Sequence, residues 1–454
     1  MSNNDPDVPR LFGTDGVRGV AGQPPLDHGT VRRLGAALVR ALPHGANATP
    51  HLLVGRDTRE SGIWIEEELA HGAAGEGADV TTVGVVPTPA VAYLTRTNST
   101  YDAGVVISAS HNPYQDNGIK VFSGKGEKFT ESVERHVEAI VADRSWHAAP
   151  GEARPVRGED LIDAYIDHLR AVFPEAAAAH GIRIAIDCAN GATTTVAPRL
   201  FNALGLETIV VGNEPDGRNI NLACGSTHPE RLATLVVERQ CQLGVAFDGD
   251  GDRAIFIDEH GKIVDGDAVL LMCGRHLQQE GRLKGNAIVA TVMSNIGLEL
   301  ALKPLGIELL RTSVGDKYVM EEMLKRNLSL GGEQSGHIIF SDYLFTGDGL
   351  CTALNVLRTL TLTKRPLGDL ASDLTTYPQV LLNVRVKQKV DLKTVPAVAN
   401  AIQRVERRVA GSGRLLIRYS GTEPLLRVML EGKDQSEIRG WAQEIVDVVE
   451  EHLG

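Results

Sequence analysis

AGVVISASHNPYQDNGIKVF, from Ala103 to Phe122, opens on Gly104-Val105-Val106-Ile107, a brief apolar run rich in β-branched residues. Such a run suits a strand buried on both faces of a sheet. It stops in Ser108-Ala109-Ser110-His111-Asn112-Pro113, small polar residues closed by a turn-forming proline. Two hydroxyls and an imidazole at the carboxyl end of a strand stand where open α/β sheets bind their ligands. Asn117-Gly118 reads as a turn that carries Lys120 back towards the same end. A serine beside a histidine is commonly plain surface, so a nucleophilic role for Ser108 or Ser110 depends on what other parts of the chain supply.

Outward from this stretch, the chain reads as a large α/β protein. Its 454 residues are too many for one core. A hydrophobic share of 43% and a charged share of 23% are ordinary for a globular protein. A net charge of −12 argues against a nucleic-acid surface, and 4% aromatics against stacking platforms for single strands. Cys188, Cys224, Cys241, Cys273 and Cys351 are scattered without a C-x-x-C pair, the usage of a reduced cytoplasmic protein. No 18-residue apolar run suggests a membrane span.

A strand–turn–helix–strand pattern recurs three times. Strands at His51–Val54 and Val80–Val83 enclose an amphipathic stretch at Ile63–Ala74, with a helix over Val31–Ala41 before them. Ile182–Ile186, a helix over Val196–Leu204 and Thr208–Val211 form the second copy. Ala287–Val292, Ser294-Asn295 as an N-cap, a helix to Leu302 and a strand near Glu308–Leu310 form the third. The last 80 or so residues differ: Leu382, Val384 and Val386 alternate with polar residues, followed by a helix, two strands and a final helix with Ile438, Trp441, Ile445 and Val449 on one side. The pattern predicts three similar α/β domains with mixed sheets and a smaller C-terminal α+β domain, divided at 1–150, 151–255, 256–370 and 371–454.

The sharpest chemical signal is Asp248-Gly249-Asp250-Gly251-Asp252-Arg253. Three carboxylates spaced by glycines repel unless a hard cation neutralises them. An EF-hand loop is disfavoured, because its glycine position is Arg253 and its flanks, Leu243–Phe247 and Ala254–Ile257, read as strands. Three carboxylates leave coordination sites open, as for Mg²⁺ shared with a phosphate group. Leu11–Gly22 is a glycine-dense loop carrying Asp15 and Arg18, which taken alone reads more readily as a plain N-terminal hairpin than as a ligand loop. Gly331–His337 frames Glu333 for sugar hydroxyls, and Arg418–Pro424 with Arg427 could cradle a phosphate. Each of these two also reads as a plain loop when taken alone. Together, a metal centre, a serine and a second phosphate cradle suit an enzyme that moves a phosphate between two positions of one molecule.

The set GTDGVRG (13–19), ISASHNP (107–113), DGDGDR (248–253), GEQSGH (332–337) and RYSGTEP (418–424) resembles the α-D-phosphohexomutase superfamily in order and spacing over essentially the whole chain. Gln334 and the GTDGVRG opening look most like the branch that acts on glucosamine phosphates; relatives acting on mannose and glucose phosphates are the alternative. Tyr419 departs from the lysine more usual there. The resemblance implies four domains around a central active-site cleft, and interconversion of glucosamine 6-phosphate and glucosamine 1-phosphate through a phosphoserine and a bisphosphate. It implies phosphorylated Ser110, supported by Ser108, and one Mg²⁺ held by Asp248, Asp250, Asp252 and the Ser110 phosphate. It further implies Lys120 as a general acid/base, with His111, Arg18 and Arg253 completing the active site. Glu333, Ser335 and His337 would bind the sugar, and Arg418, Ser420, Gly421, Thr422 and Arg427 the non-reacting phosphate. The expected partner is a small-molecule sugar phosphate, with no nucleic acid or membrane, for a monomer or homodimer.

Overall fold

Runs of period two and period 3.6 alternate along the chain, and each settles into the element its period dictates. The structure, a computed structural model, describes residues 10–13, 15–42, 49–153, 155–420 and 424–454. They divide into two compact units: residues up to Met293 together with Ile307–Asp373, and Ser294–Gly306 together with Leu374–Gly454.

In the first unit, Ala103–Ile107 is buried throughout and lies inside a mixed sheet. It runs parallel to His51–Arg56 and antiparallel to Asp116–Ser123, which in turn pairs with Gly16–Val20. Beyond His51–Arg56 the order continues through Asp79–Val85 to Val156–Arg157. One face is sealed by His28–Ala41, Ser61–Gly75 and Glu131–Ala142, whose Val31, Leu34, Leu38, Ile65, Leu69 and Val137 join Val54, Val105 and Ile107 in one core. On the other face lies Thr88–Thr97. It packs so close that a Cβ at Gly104 would stand 2.3 Å from Thr95 Oγ1.

Asn117-Gly118 is not the turn that its composition predicts. Both residues lie inside the strand Asp116–Ser123, and the chain reverses earlier, between Ser108 and Gln115. Gly118 is required for close approach: a Cβ there would meet Ser108 O at 2.6 Å and Val17 O at 2.9 Å. Lys120 is nevertheless brought back beside the strand, opposite Val106.

A second sheet runs Ile263–Val264, Ala254–Asp258, Leu243–Phe247, Arg183–Asp187, Glu207–Val211. Leu243–Phe247 and Ala254–Asp258 are antiparallel neighbours, so the acidic loop is the tip of a hairpin between strands, as expected, and not an interhelical calcium loop. Residue 256 lies within that hairpin, so no domain passage occurs there. A third sheet runs Glu308–Thr312, Ala287–Thr291, Leu330–Gly332, Ile338–Phe340. Among the described residues, no helix is long and apolar enough to cross a membrane.

The second unit has an antiparallel sheet in the order Gln379–Arg385, Leu425–Glu431, Arg414–Tyr419. The helices Pro396–Val409 and Gln435–Leu453 cover it with Val398, Val405, Val409, Ile438, Ile445 and Val449. Ser294–Gly306 belongs to this unit, with Asn295 capping the helix Ile296–Leu302 as predicted.

Candidate active site

The loop after Ala103–Ile107 separates two hydroxyls that look alike in sequence. Ser108 and Ser110 are both buried, but only Ser110 has a φ of +51°, in the left-handed region that disfavours side-chain-bearing residues. Ser108 Oγ donates to Asp57 Oδ2 at 2.5 Å and accepts the Ser110 N–H at 3.0 Å. Ser110 Oγ donates to Asp248 Oδ2 at 2.5 Å and lies 3.3 Å from His111 Nδ1. Asp57 forms a fully buried ion pair with Arg59.

Carboxylate oxygens of Asp248, Asp250 and Asp252 gather within 4.8 Å of one another, and all three side chains are buried. Burial, reinforced by Asp252 and Asp250, holds the Asp248 carboxyl far above the usual range. Burial pushes Asp250 up most strongly, but the Lys120 ammonium and the hydrogen bonds from Lys120 and Thr88 together bring that carboxyl down. Lys120 Nζ sits 2.8 Å from Asp250 Oδ2, 3.3 Å from Asp252 Oδ2 and 2.9 Å from Asp15 Oδ2. Burial opposes its charge, yet these three carboxylates hold it firmly protonated. His111 is the reverse case: burial, with Arg253 and Arg18 nearby, brings its imidazole down to about 4. Among the described residues, Asp250 Oδ1 and Asp252 Oδ1 are buried without a hydrogen-bond donor.

A cavity of about 510 Å³ opens beside this cluster, lined by Asp15, Arg18, His111, Asp252, Arg253, Gly315, Asp316, Glu333 and His337 among others. Arg253 bridges to His337 as a β-pair, which ties the acidic loop to the Gly332–His337 loop. Glu333 Oε1 accepts the Gly315 N–H at 3.1 Å. His337 is 2% exposed, and among the described residues neither ring nitrogen has a hydrogen-bond partner, Nε2 lying 3.5 Å from Asp316 Oδ2. Ser335 is exposed and does not line the cavity; it donates to Glu333 Oε2 at 3.4 Å.

In the other unit, Arg418 and Arg427 are direct cross-strand partners, so two guanidinium side chains share one face of the sheet. Like charges placed this way repel, and a bound anion relieves the repulsion. Ser420 follows, buried; Gly421 and Thr422 lie outside the described residues. Tyr419 spends its hydroxyl locally, donating to Val390 O at 2.8 Å.

Comparison with known proteins settles the family. Models described as phosphoglucomutase/phosphomannomutase domains I, II, III and C-terminal match residues 9–148, 163–261, 265–377 and 381–448. A phosphoglucosamine mutase of Solibacter usitatus is 50% identical over 98% of this chain and 99% of its own. The chain belongs to the phosphoglucomutase/phosphomannomutase family. A second relative, phosphoglucosamine mutase of Syntrophotalea carbinolica, is 47% identical over 98% of both chains. The crystal structure of a family protein from Burkholderia thailandensis shares the fold, with a TM-score of 0.79 at 24% identity over 97% of both chains. Like other phosphohexomutases, this member is an isomerase.

Several residues around the phosphohexomutase site are invisible as motifs. Thr88 Oγ1 donates to Asp250 Oδ2 at 2.6 Å; Arg59 and Asn221 reach the Ser110 loop; Lys128 joins Asp15, at 2.6 Å, to Asp316. Asp57 alone carried a signal, since it follows the strand His51–Arg56 at its carboxyl end.

Proposed function

We propose that the protein is a phosphoglucosamine mutase, interconverting glucosamine 6-phosphate and glucosamine 1-phosphate through phosphorylated Ser110 and a hexosamine bisphosphate, on the route to UDP-N-acetylglucosamine. One observation carries the reading: Ser110 Oγ lies 2.5 Å from Asp248 at the mouth of three converging carboxylates. The donor set fits Mg²⁺: it is all oxygen, closely spaced and buried, with two carboxylate oxygens lacking donors among the described residues. Asp248, Asp250 and Asp252, with the Ser110 phosphate, would hold the ion, which when bound neutralises charge on the phosphoryl oxygens.

The chain's own residues do the rest. In the first transfer the bond between Ser110 Oγ and phosphorus breaks and a bond from a sugar hydroxyl to phosphorus forms. The hydroxyl proton passes to a base, a role that falls to Lys120 or to the neutral His111 beside Ser110 Oγ. Lys120, Arg18 and Arg253 supply positive charge as Oγ becomes an alkoxide or its protonated form. The bisphosphate then turns over, and its other phosphoryl group returns to Ser110. Glu333 and His337 orient the sugar, with Ser335 acting through its bond to Glu333. Arg418, Ser420, Gly421, Thr422 and Arg427 hold whichever phosphate is not reacting. The partner is a small sugar phosphate, taken up by a cytoplasmic monomer or homodimer.

A substrate panel tests the reading. Glucosamine phosphates should turn over faster than glucose or mannose phosphates; a preference for a neutral sugar by more than about tenfold, some 1.4 kcal/mol in barrier, would reassign the substrate.

A further inference from the structure

Two carbonyl oxygens in the loop that carries Ser110 are each gripped twice. Arg59 Nη2 donates to Ser110 O at 3.2 Å and to Asn112 O at 2.6 Å. Asn221 Nδ2 donates to the same two oxygens, at 2.9 Å and 3.1 Å. The two donors come from different places: Arg59 follows a strand of the first sheet, and Asn221 stands in the loop after Glu207–Val211 in the second. Both side chains are buried. The same carbonyl abuts the acidic loop, where a Cβ on Gly249 would come within 2.5 Å of Ser110 O.

This grip answers a specific difficulty. A serine at φ +51° is in a sparsely populated conformation, which persists only when its surroundings over-determine it. A phosphoryl dianion on Oγ would also be repelled by its own residue's carbonyl oxygen if that oxygen could swing towards it. Aiming the carbonyls of Ser110 and Asn112 at an amide and a guanidinium removes both freedoms and leaves Oγ directed at Asp248. Asn221 is suited to the post because it is itself at φ +58°, with its N–H on Ala189 O at 2.9 Å. Asparagine tolerates that region, and its neutral amide adds no charge.

We infer that Asn221, together with Arg59, is a positioning residue for phosphoryl transfer: the pair fixes the backbone of the Ser110 loop from two sheets at once. This rests on Ser110 being the phosphoryl carrier. Asn221→Gly deletes the amide while leaving the backbone free to keep φ +58°, and Asn221→Asp keeps the shape but sets carboxylate oxygens against two carbonyls.

A displacement of Oγ on the order of 1 Å predicts that Asn221→Gly lowers kcat by about 10- to 100-fold, with KM for the sugar phosphate within about twofold. The rate at which a hexose bisphosphate phosphorylates Ser110 should fall in parallel, and Asn221→Asp should fall further in both. Wild-type kcat and phosphorylation rate in Asn221→Gly, or a rise in KM in place of the fall in kcat, would overturn the inference. If the glycine variant does not fold, the aspartate variant decides by the same criteria. Intact mass of the unaltered protein separates the two levels. A phosphorylated Ser110 with an unaffected Asn221→Gly overturns the positioning role alone. An unphosphorylated protein whose Ser110→Ala variant still turns over overturns the carrier reading, and the positioning role with it.

Discussion

The loop at Ser110 and the strand pair at Arg418 and Arg427 are both assigned to phosphate, yet they are built on opposite principles. The first is buried and acidic: three carboxylates converge on a hydroxyl, where they could hold a cation, and Lys120 offsets part of their charge. The second is half-buried and basic, with two guanidinium residues opposite each other on adjacent strands. The contrast follows from the chemistry. A reacting phosphoryl group must be fixed covalently and have its charge cancelled as bonds change. A phosphate that only anchors the sugar must be held by charge-assisted hydrogen bonds and then released.

The comparison can be broken at its strongest point by removing the hydroxyl. Ser110→Ala should lower turnover by at least about 10³-fold, since the other hydroxyl of the loop, Ser108 Oγ, is committed to Asp57. Steady-state assay and intact mass check this, and near-normal turnover would move the covalent role elsewhere. Next comes the cation. Chelation should cut turnover by about 10²-fold or more, Mg²⁺ should restore it, and Asp250→Asn should raise the Mg²⁺ concentration needed. A chelated enzyme working at full rate would end the metal assignment.

The basic region should respond differently. Arg427→Ala removes a charge-assisted contact worth about 1.5–3 kcal/mol, so KM should rise by about 10- to 100-fold while kcat changes little. Were kcat to fall with KM unchanged, the two regions would not divide the work in this way.

The smallest effect concerns the burial that the acidic region demands. Asp348, at the start of Gly349–Thr363, is pushed up to about 6 by burial, against bonds from the Cys351 N–H and the Tyr165 hydroxyl at 2.8 Å. Its folded value lies above its unfolded one, so the native state binds the extra proton between about pH 4 and 6. Stability from this group therefore falls as pH rises through that window, and the deficit persists above it. Asn at 348 can cap the helix with its Oδ1 and donate from Nδ2 to the Tyr165 hydroxyl without a charge. Asp348→Asn should gain on the order of 1–3 kcal/mol at pH 8 by urea denaturation, and nothing near pH 4. Equal changes at both pH values would refute the titration.

What the sequence revealed divides along the same line. Contiguous features were legible: the run at Val105–Ile107, the hairpin around Asp248–Arg253, and the Asn295 cap all follow from local pattern. Ser108 and Ser110 were not separable from residue types, because their difference is a backbone angle and a relay through Asp57. Asn117-Gly118 misled because a glycine required for close packing in a strand has the composition of a turn. Arg59, Thr88, Asn221, Lys128 and Asp316 carry no local signature, since their meaning comes from loops of separate sheets meeting in space.

The excursion Ser294–Gly306 has a bearing on inheritance. Glu431, with no exposed surface, accepts from Asn295 Nδ2 at 3.3 Å, from the Ile296 N–H at 3.2 Å and from Arg414 Nε at 2.8 Å. The C-terminal unit is therefore not a cassette that one crossover near residue 373 could exchange between homologous genes. Such a chimera would bring a foreign Glu431 environment to a native Asn295, residues 136 positions apart in the chain but in hydrogen-bond contact. Exchange of the whole unit needs three crossovers, before Ser294, after Gly306 and after Asp373, and substitutions at Asn295 and Glu431 must keep step.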